Sequence, residues 1–178
     1  MKPIVTAESR PRKKMSSSTP DLTAAVITIS DSSARGERED LGGPAVAAAL
    51  EKRGFRIAAR EVVPDEESAI RDALIRLCVQ ARFVVTTGGT GIAPRDVTPE
   101  ATRDVCERLL EGVAERMRSE GAKKTKFAAL SRAVCGVRGQ AVILNLPGKP
   151  SGAIESLDAV IDLIPHALQL LSGDTKHG

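Results

Sequence analysis

Apolar and polar positions change period repeatedly along the chain, and the changes mark an alternation of strands and helices. Residues 24–29 (AAVITI) form a continuous apolar run rich in β-branched side chains, the pattern of a strand covered on both faces. The stretch that follows, SDSSARGEREDLGG, is polar and glycine-bearing, and reads as a loop. Pro44 suits the first turn of a helix that Gly54 stops, with Val46, Ala49 and Leu50 on its apolar side. Residues 56–63 form a second strand closed by Pro64. Over residues 66–80 the spacing of Ile70, Ala73, Leu74, Leu77 and Cys78 predicts a helix with one core-facing stripe. Residues 83–87 (FVVTT) form a third strand that runs into GGTGIAPRD. Thr98, Pro99 and Glu100 then supply an N-cap, a first-turn proline and an acid matched to the helix dipole, predicting a helix that continues toward Met117. Residues 121–127 are basic and irregular. Two short apolar strands, 133–137 and 141–145, flank Arg138-Gly139 as an antiparallel hairpin. After Pro147-Gly148-Lys149-Pro150 comes a last amphipathic helix, with Ile154, Leu157, Ile161, Ile164 and Leu168 inward and a kink expected at Pro165.

Successive β-α units imply an α/β fold: a mostly parallel mixed sheet with helices on both faces, the hairpin adding an antiparallel edge. Ligands of such sheets sit at the carboxyl ends of the strands. That rule selects four loops, residues 30–43, 63–66, 87–99 and 145–152, and predicts that they converge on one cleft.

Charge narrows the candidate functions. The net charge of +3 is carried entirely by residues 1–21, with five basic side chains against two acidic; the remainder holds 21 of each sign. A nucleic-acid protein spreads basic charge over a folded face, and with no Trp, no Tyr and three Phe this chain lacks base-stacking platforms. Residues 1–21 are expected to be a disordered basic leader, with Met15 a second candidate start, residues 22–173 the folded domain, and residues 174–178 a short tail. No apolar run approaches the roughly 20 residues of a membrane span, and the leader lacks the apolar middle of a signal peptide. Cys78, Cys106 and Cys135 form no CxxC pair, and with only His166 and His177 beside them they match no zinc spacing; they read as buried free thiols of a cytoplasmic protein.

The stretch from Thr87 through Gly88, Gly89, Thr90 and Gly91 brings backbone N–H groups and hydroxyls close to any anion placed there, although a glycine-rich turn alone is common. Asp65 and Asp96 follow different strands. Two such carboxylates can share a divalent cation; equally, Asp65 fits a helix N-cap and Asp96 a turn after Pro94. Ser30, Asp31, Ser32 and Asp40 lie in the first loop, and Arg95 and Arg132 are able to grip phosphate. Ser131 has no base near it in sequence, so a hydrogen-bonding role outranks a nucleophilic one. Asn145, Leu146, Pro147 and Gly148 end a strand on the ligand side, where a plain turn is the alternative.

Together these segments resemble a known family. TTGGTGIAPRDVTPEAT (86–102), LSRAVCGVRG (130–139) and ILNLPGKPSG (143–152), in this order, are similar to the molybdopterin adenylyltransferases, which include the bacterial Mog proteins and the gephyrin G domain. ITISDSSARGEREDLGGP (27–44) and VVPDE (62–66) also match, so the resemblance covers about residues 22–173. It implies the three-layer α/β/α molybdopterin-binding fold, a homotrimer, and transfer of AMP from ATP to the terminal phosphate of molybdopterin. Mg2+ is the implied cofactor, and a molybdenum-insertion protein an implied partner. The family's paired aspartates fall on Asp65 and Asp96, its serine on Ser131, and its nucleotide and pterin loops on residues 88–91 and 145–148. The related MoaB proteins leave a pterin-binding or scaffolding role without transfer as the alternative. An unrelated Rossmann-like protein is disfavoured because no GxGxxG follows the first strand. One stretch, EGAKKTKFAALSR, departs from the family pattern, with extra lysines and no proline.

Overall fold

A computed structural model describes residues 21–173. The expected leader, apart from Asp21, and the expected tail lie outside the described residues. Six strands form one sheet: β1 (Thr23–Ile29), β2 (Arg56–Val63), β3 (Phe83–Thr87), β4 (Arg108–Leu109), β5 (Cys135–Arg138) and β6 (Ala141–Leu146). Their order is β2-β1-β3-β6-β5-β4. The first four strands in that order run parallel, while β5 is antiparallel to β6 and to β4.

Burial follows position in the sheet. β1 and β3 are buried along their whole length because both faces are covered, whereas the edge strand β2 alternates between exposed and half-buried. One face packs under α2 (Gly42–Glu51), α5 (Glu111–Ala122), α6 (Pro150–Asp158) and α7 (Ile164–Leu171), around Leu50, Phe83, Leu144, Leu157 and Leu168. The other packs under α3 (Glu67–Gln80) and α4 (Thr98–Val105), around Ile27, Ile70, Leu74, Leu77 and Ile143. The result is the expected three-layer α/β/α arrangement. Among the described residues no helix is long and apolar enough to cross a membrane.

Three local expectations are corrected. The helix predicted from Thr98 toward Met117 is two helices, because residues 106–110 leave helical geometry to pair with β5: Glu107 N–H donates to Val137 O at 2.8 Å and Leu110 N–H to Cys135 O at 2.8 Å. An unpaired strand edge is costly, and these backbone bonds outweigh continued helix. The last helix is also divided. A 3-10 turn (Ile161–Leu163) separates α6 from α7, and Pro165 opens α7 instead of kinking a continuous helix. Finally, Val97 and not Thr98 occupies the N-cap of α4; the Thr98 hydroxyl is drawn into the glycine-rich loop.

Candidate active site

The four loops selected from strand order meet at one end of the sheet. Ser30 N–H donates to Val63 O at 3.0 Å, joining the first loop to the second. Asp31 and Asp65 then exchange bonds: Asp31 N–H donates to Asp65 Oδ2 at 2.8 Å, and Asp65 N–H to Asp31 Oδ1 at 3.0 Å. Asp65 therefore does not cap the helix that follows it in sequence, whose first turn has no side-chain cap. It holds the start of α1 (Asp31–Ala34), where Ser30 Oγ also accepts Ser33 N–H. Arg95, from the third loop, grips the Asp31 carboxylate bidentately at 2.7–3.1 Å. Asp40 is spent elsewhere, accepting from Thr28 Oγ1 and Gly43 N–H at the entry to α2.

The glycine-rich loop is pinned from several directions. Gly88 N–H donates to Leu146 O at 3.1 Å, and the Thr87 hydroxyl to Pro147 O at 2.8 Å, tying the third loop to the fourth. Thr98, fully buried, donates its hydroxyl to Gly88 O at 2.9 Å and its N–H to Gly89 O at 3.2 Å. Gly88 (φ +110°) and Gly89 (φ +63°) take backbone conformations that side chains resist, and a Cβ at Gly88 would strike the Ile29 carbonyl. At Gly89 a Cβ would meet Thr98 Oγ1 and stand 3.3 Å from Asp65 Oδ1, which sets Asp65 directly beside this loop. Ala93 N–H donates to Asp96 Oδ2 at 2.8 Å, so one Asp96 oxygen serves the turn after Pro94.

A cavity of about 900 Å3 opens against this loop. Gly89, Thr90, Gly91, Asp96, Ser131, Pro147 and Gly148 form one wall. The other wall comes from α5, the turn after it, the 3-10 segment Lys126–Leu130 and α6: Arg116, Lys124, Phe127 and Glu155 among others. Sequence reasoning missed this second wall. Its only signal was the basic stretch ahead of Ser131, since no motif joins α5 to α6.

Not every expected residue reaches the cleft. Asn145 is fully buried, and its side chain is committed inside the protein. Its Oδ1 accepts Val134 N–H at 3.1 Å, and its Nδ2 donates to Thr86 Oγ1 at 3.0 Å and Thr102 Oγ1 at 2.9 Å. It braces β6 and is not available to a ligand. Arg132, a candidate phosphate ligand, spends its guanidinium on Gly91 O, Asp96 O and Glu100.

The electrostatics set the two buttressing carboxylates apart. The Arg95 guanidinium, with the Asp65 N–H, holds Asp31 below the usual carboxylate range. Asp65 is pushed up, chiefly by burial and further by the Asp31 and Asp96 charges, although the Asp31 N–H and Arg95 oppose this. Asp65 thus sits where added positive charge is welcome. Among the described residues no group of three or more His, Cys, Asp or Glu side chains is arranged to enclose a metal. A pair of carboxylates without a protein cage suits a magnesium ion that arrives on phosphate oxygens and keeps its waters. Burial pushes Cys78 and Cys135 up to about 12 and Cys106 up to about 11, so none of the three serves as a thiolate nucleophile at neutral pH.

Comparison with known proteins places the chain in a family. Residues 25–166 match the family described as "Probable molybdopterin binding domain". The chain is 42% identical over 153 residues to the molybdopterin adenylyltransferase of Helicobacter pylori J99, covering 84% of this chain and 87% of that protein. It is 37% identical over 169 residues to the molybdopterin adenylyltransferase of Escherichia coli K12, covering 85% and 86%. The crystal structure of the molybdopterin biosynthesis enzyme MoaB from Thermus thermophilus superposes with a TM-score of 0.80 at 48% identity, covering 85% of this chain and 97% of that one.

Proposed function

The chain belongs to the molybdopterin-binding domain family, and from that membership we propose that it is a molybdopterin adenylyltransferase. In this reading an oxygen of the pterin's terminal phosphate attacks the α-phosphorus of ATP. The bond from that phosphorus to the α–β bridging oxygen breaks, and pyrophosphate leaves with its electron pair. The attacking phosphate is already ionised at neutral pH, so no general base is required, which fits a cavity with no histidine among its described lining residues. The barrier is the approach of two anions, and positioning together with preorganised positive dipoles lowers it.

The observation that carries the proposal is the juxtaposition of a rigid glycine loop, Asp96 and Ser131 on one cavity wall, with Asp65 directly behind Gly89. The N–H groups of Gly89, Thr90 and Gly91 are the donors this reading assigns to the phosphates, and Thr90 and Ser131 offer hydroxyls. Asp65 and Asp96 would hold Mg2+, which would supply charge neutralisation on the nucleotide phosphates. Pro147 and Gly148 shape the rim, while Arg95 and Ser30 buttress the loops beside it. The reading carries with it a cytoplasmic location, a homotrimer through exposed apolar side chains such as Val79 and Ile92, and a molybdenum-insertion protein as the recipient of product.

The test is to incubate purified protein with molybdopterin and magnesium ATP. Release of pyrophosphate with formation of adenylylated pterin is expected; neither appearing overturns the proposal. A second reading is the pterin-binding or scaffolding role without transfer that the resemblance to MoaB proteins leaves open. Tight pterin binding with no pyrophosphate would establish it. Light scattering at micromolar concentration tests the trimer, and a monomer there removes it.

A further inference from the structure

The turn between Gly91 and Asp96 protrudes: Ile92 is 69% exposed and Arg95 is exposed as well. Its internal bonds, Ala93 N–H to Asp96 Oδ2 and Asp96 N–H to Ala93 O at 2.9 Å, give the turn a shape but do not fix where it stands. Position comes from outside. Arg95 ties the outer edge to Asp31. Arg132 ties the inner edge: its N–H donates to Thr90 O at 3.0 Å, its Nε to Gly91 O at 2.7 Å, and its Nη2 to Asp96 O. The far side of the same guanidinium meets the Glu100 carboxylate in the first turn of α4.

A planar guanidinium that reaches both ends of a turn and a helix at once is a rigid three-point clasp, which a single ammonium cannot reproduce. The neighbour of Arg132 in sequence is Ser131, on the same cavity wall as Asp96. One residue therefore fixes the spacing between the hydroxyl and the carboxylate that face the ligand. We propose that Arg132 is a positioning residue: it binds no substrate phosphate, but locks the Gly91–Asp96 turn so that Asp96 and Ser131 keep their places. The activity part of this proposal rests on the adenylyl-transfer reading; the structural part does not.

Two measurements on Arg132→Ala, with Arg132→Lys alongside, test it. Amide hydrogen exchange should quicken at residues 90–97 while the strands keep wild-type protection. Turnover by pyrophosphate release should fall on the order of 100-fold, as a misplaced catalytic group implies, with KM for the pterin little changed. Arg132→Lys should fall between wild type and Arg132→Ala on both counts, and it carries the comparison alone if Arg132→Ala fails to fold by circular dichroism. Wild-type exchange at residues 90–97 overturns the clasp. A rise in KM with kcat intact overturns it too, and assigns Arg132 to direct phosphate contact. Absence of pyrophosphate release from the wild-type protein defeats the adenylyl-transfer reading and leaves the exchange measurement to decide the clasp.

Discussion

The two walls of the cavity are held by different kinds of interaction. On the glycine-loop side, backbone and hydroxyl groups bond to β6, the fourth loop, α4 and Arg132, and Thr87, Gly88, Thr90 and Thr98 are all buried. On the other side, α5 buries only Ala114 and Met117, and the 3-10 segment Lys126–Leu130 buries nothing. Beyond the core shared by Ala114, Met117 and Leu157, the links to α6 and the turn beyond it are ion pairs, Lys124–Glu155 at 3.2 Å and Arg116–Asp162 at 3.4 Å, all four side chains well exposed. Exposed pairs contribute little, and segments with few buried contacts open first. Chemistry that depends on fixed geometry belongs on the first wall, and the second is free to adapt to what enters.

The sharpest way to break this division is to remove charge from the fixed wall without changing its shape. Asp65→Asn and Asp96→Asn should each lower pyrophosphate release by at least ~100-fold, the scale of one strong electrostatic contact with the transition state. Both should stay folded, because an Asn oxygen can still accept from Asp31 N–H or Ala93 N–H. For Asp65 the sign is definite. Its folded pKa is raised, so the ionised form opposes folding once pH exceeds that value, and Asp65→Asn should be no less stable than wild type at neutral pH. Near-normal turnover in both variants would return these carboxylates to ordinary loop residues.

Glycines offer a paired test by urea denaturation. Gly88→Ala forces a side chain into φ +110° and against the Ile29 carbonyl, and should cost about 2 kcal/mol or more. Gly112→Ala, on exposed α5 with nothing within 4 Å of the new methyl, should instead gain about 0.5 kcal/mol. Equal responses at the two sites would show that the walls do not differ in rigidity.

The same contrast governs what the sequence disclosed. The fixed wall was legible because its constraints are local: a β-branched run, then glycines at the strand end, then Thr98-Pro99-Glu100. Thr98 reads in sequence as the N-cap of α4, but its hydroxyl serves Gly88 O in preference to the helix end, a choice made by tertiary proximity. Asn145 looked like a ligand because it ends a strand on the ligand side; its orientation depends on Thr86 and Thr102, on β3 and α4, which no linear pattern links to it. The break after Val105 was hidden because Leu109, Leu110 and Val113 continue a plausible helical stripe, and only the edge of β5 draws residues 106–110 out of it. The adaptable wall was legible only in the apolar stripe of α6; that α5, α6 and a 3-10 segment face one cavity was not. Its residues come from α5, α6 and a 3-10 segment, and few of them are buried deeply enough to impose a period.

A smaller effect is expected from cutting the ion pair on the adaptable wall. Lys124→Ala should change stability by no more than ~1 kcal/mol, while amides of residues 115–128 exchange faster and those of residues 87–98 do not. Faster exchange on both walls would mean that they open as one unit, and the division would fail.

The smallest effect is a slope at acid pH, and it probes the boundary of the fixed wall. Arg132 lowers the pKa of Glu100 mainly through the hydrogen bonds between them, with burial the next largest influence and opposed to it. A carboxylate with a depressed folded pKa contributes stability above its unfolded value, and loses that contribution as pH falls through the folded one. Glu100→Gln should therefore be less stable than wild type at pH 7, with the difference shrinking as pH drops below the ordinary glutamate range. The pair is partly exposed, so solvent screening limits the difference to at most ~1 kcal/mol. Thermal melts of both proteins across the acid range check this. A constant difference at all pH values would mean that Glu100 acts through packing and not charge. A difference far above the expected ceiling would mean that the clasp around Arg132 is a structural linchpin of the whole domain, and the fixed wall would then extend well beyond the loop that faces the ligand.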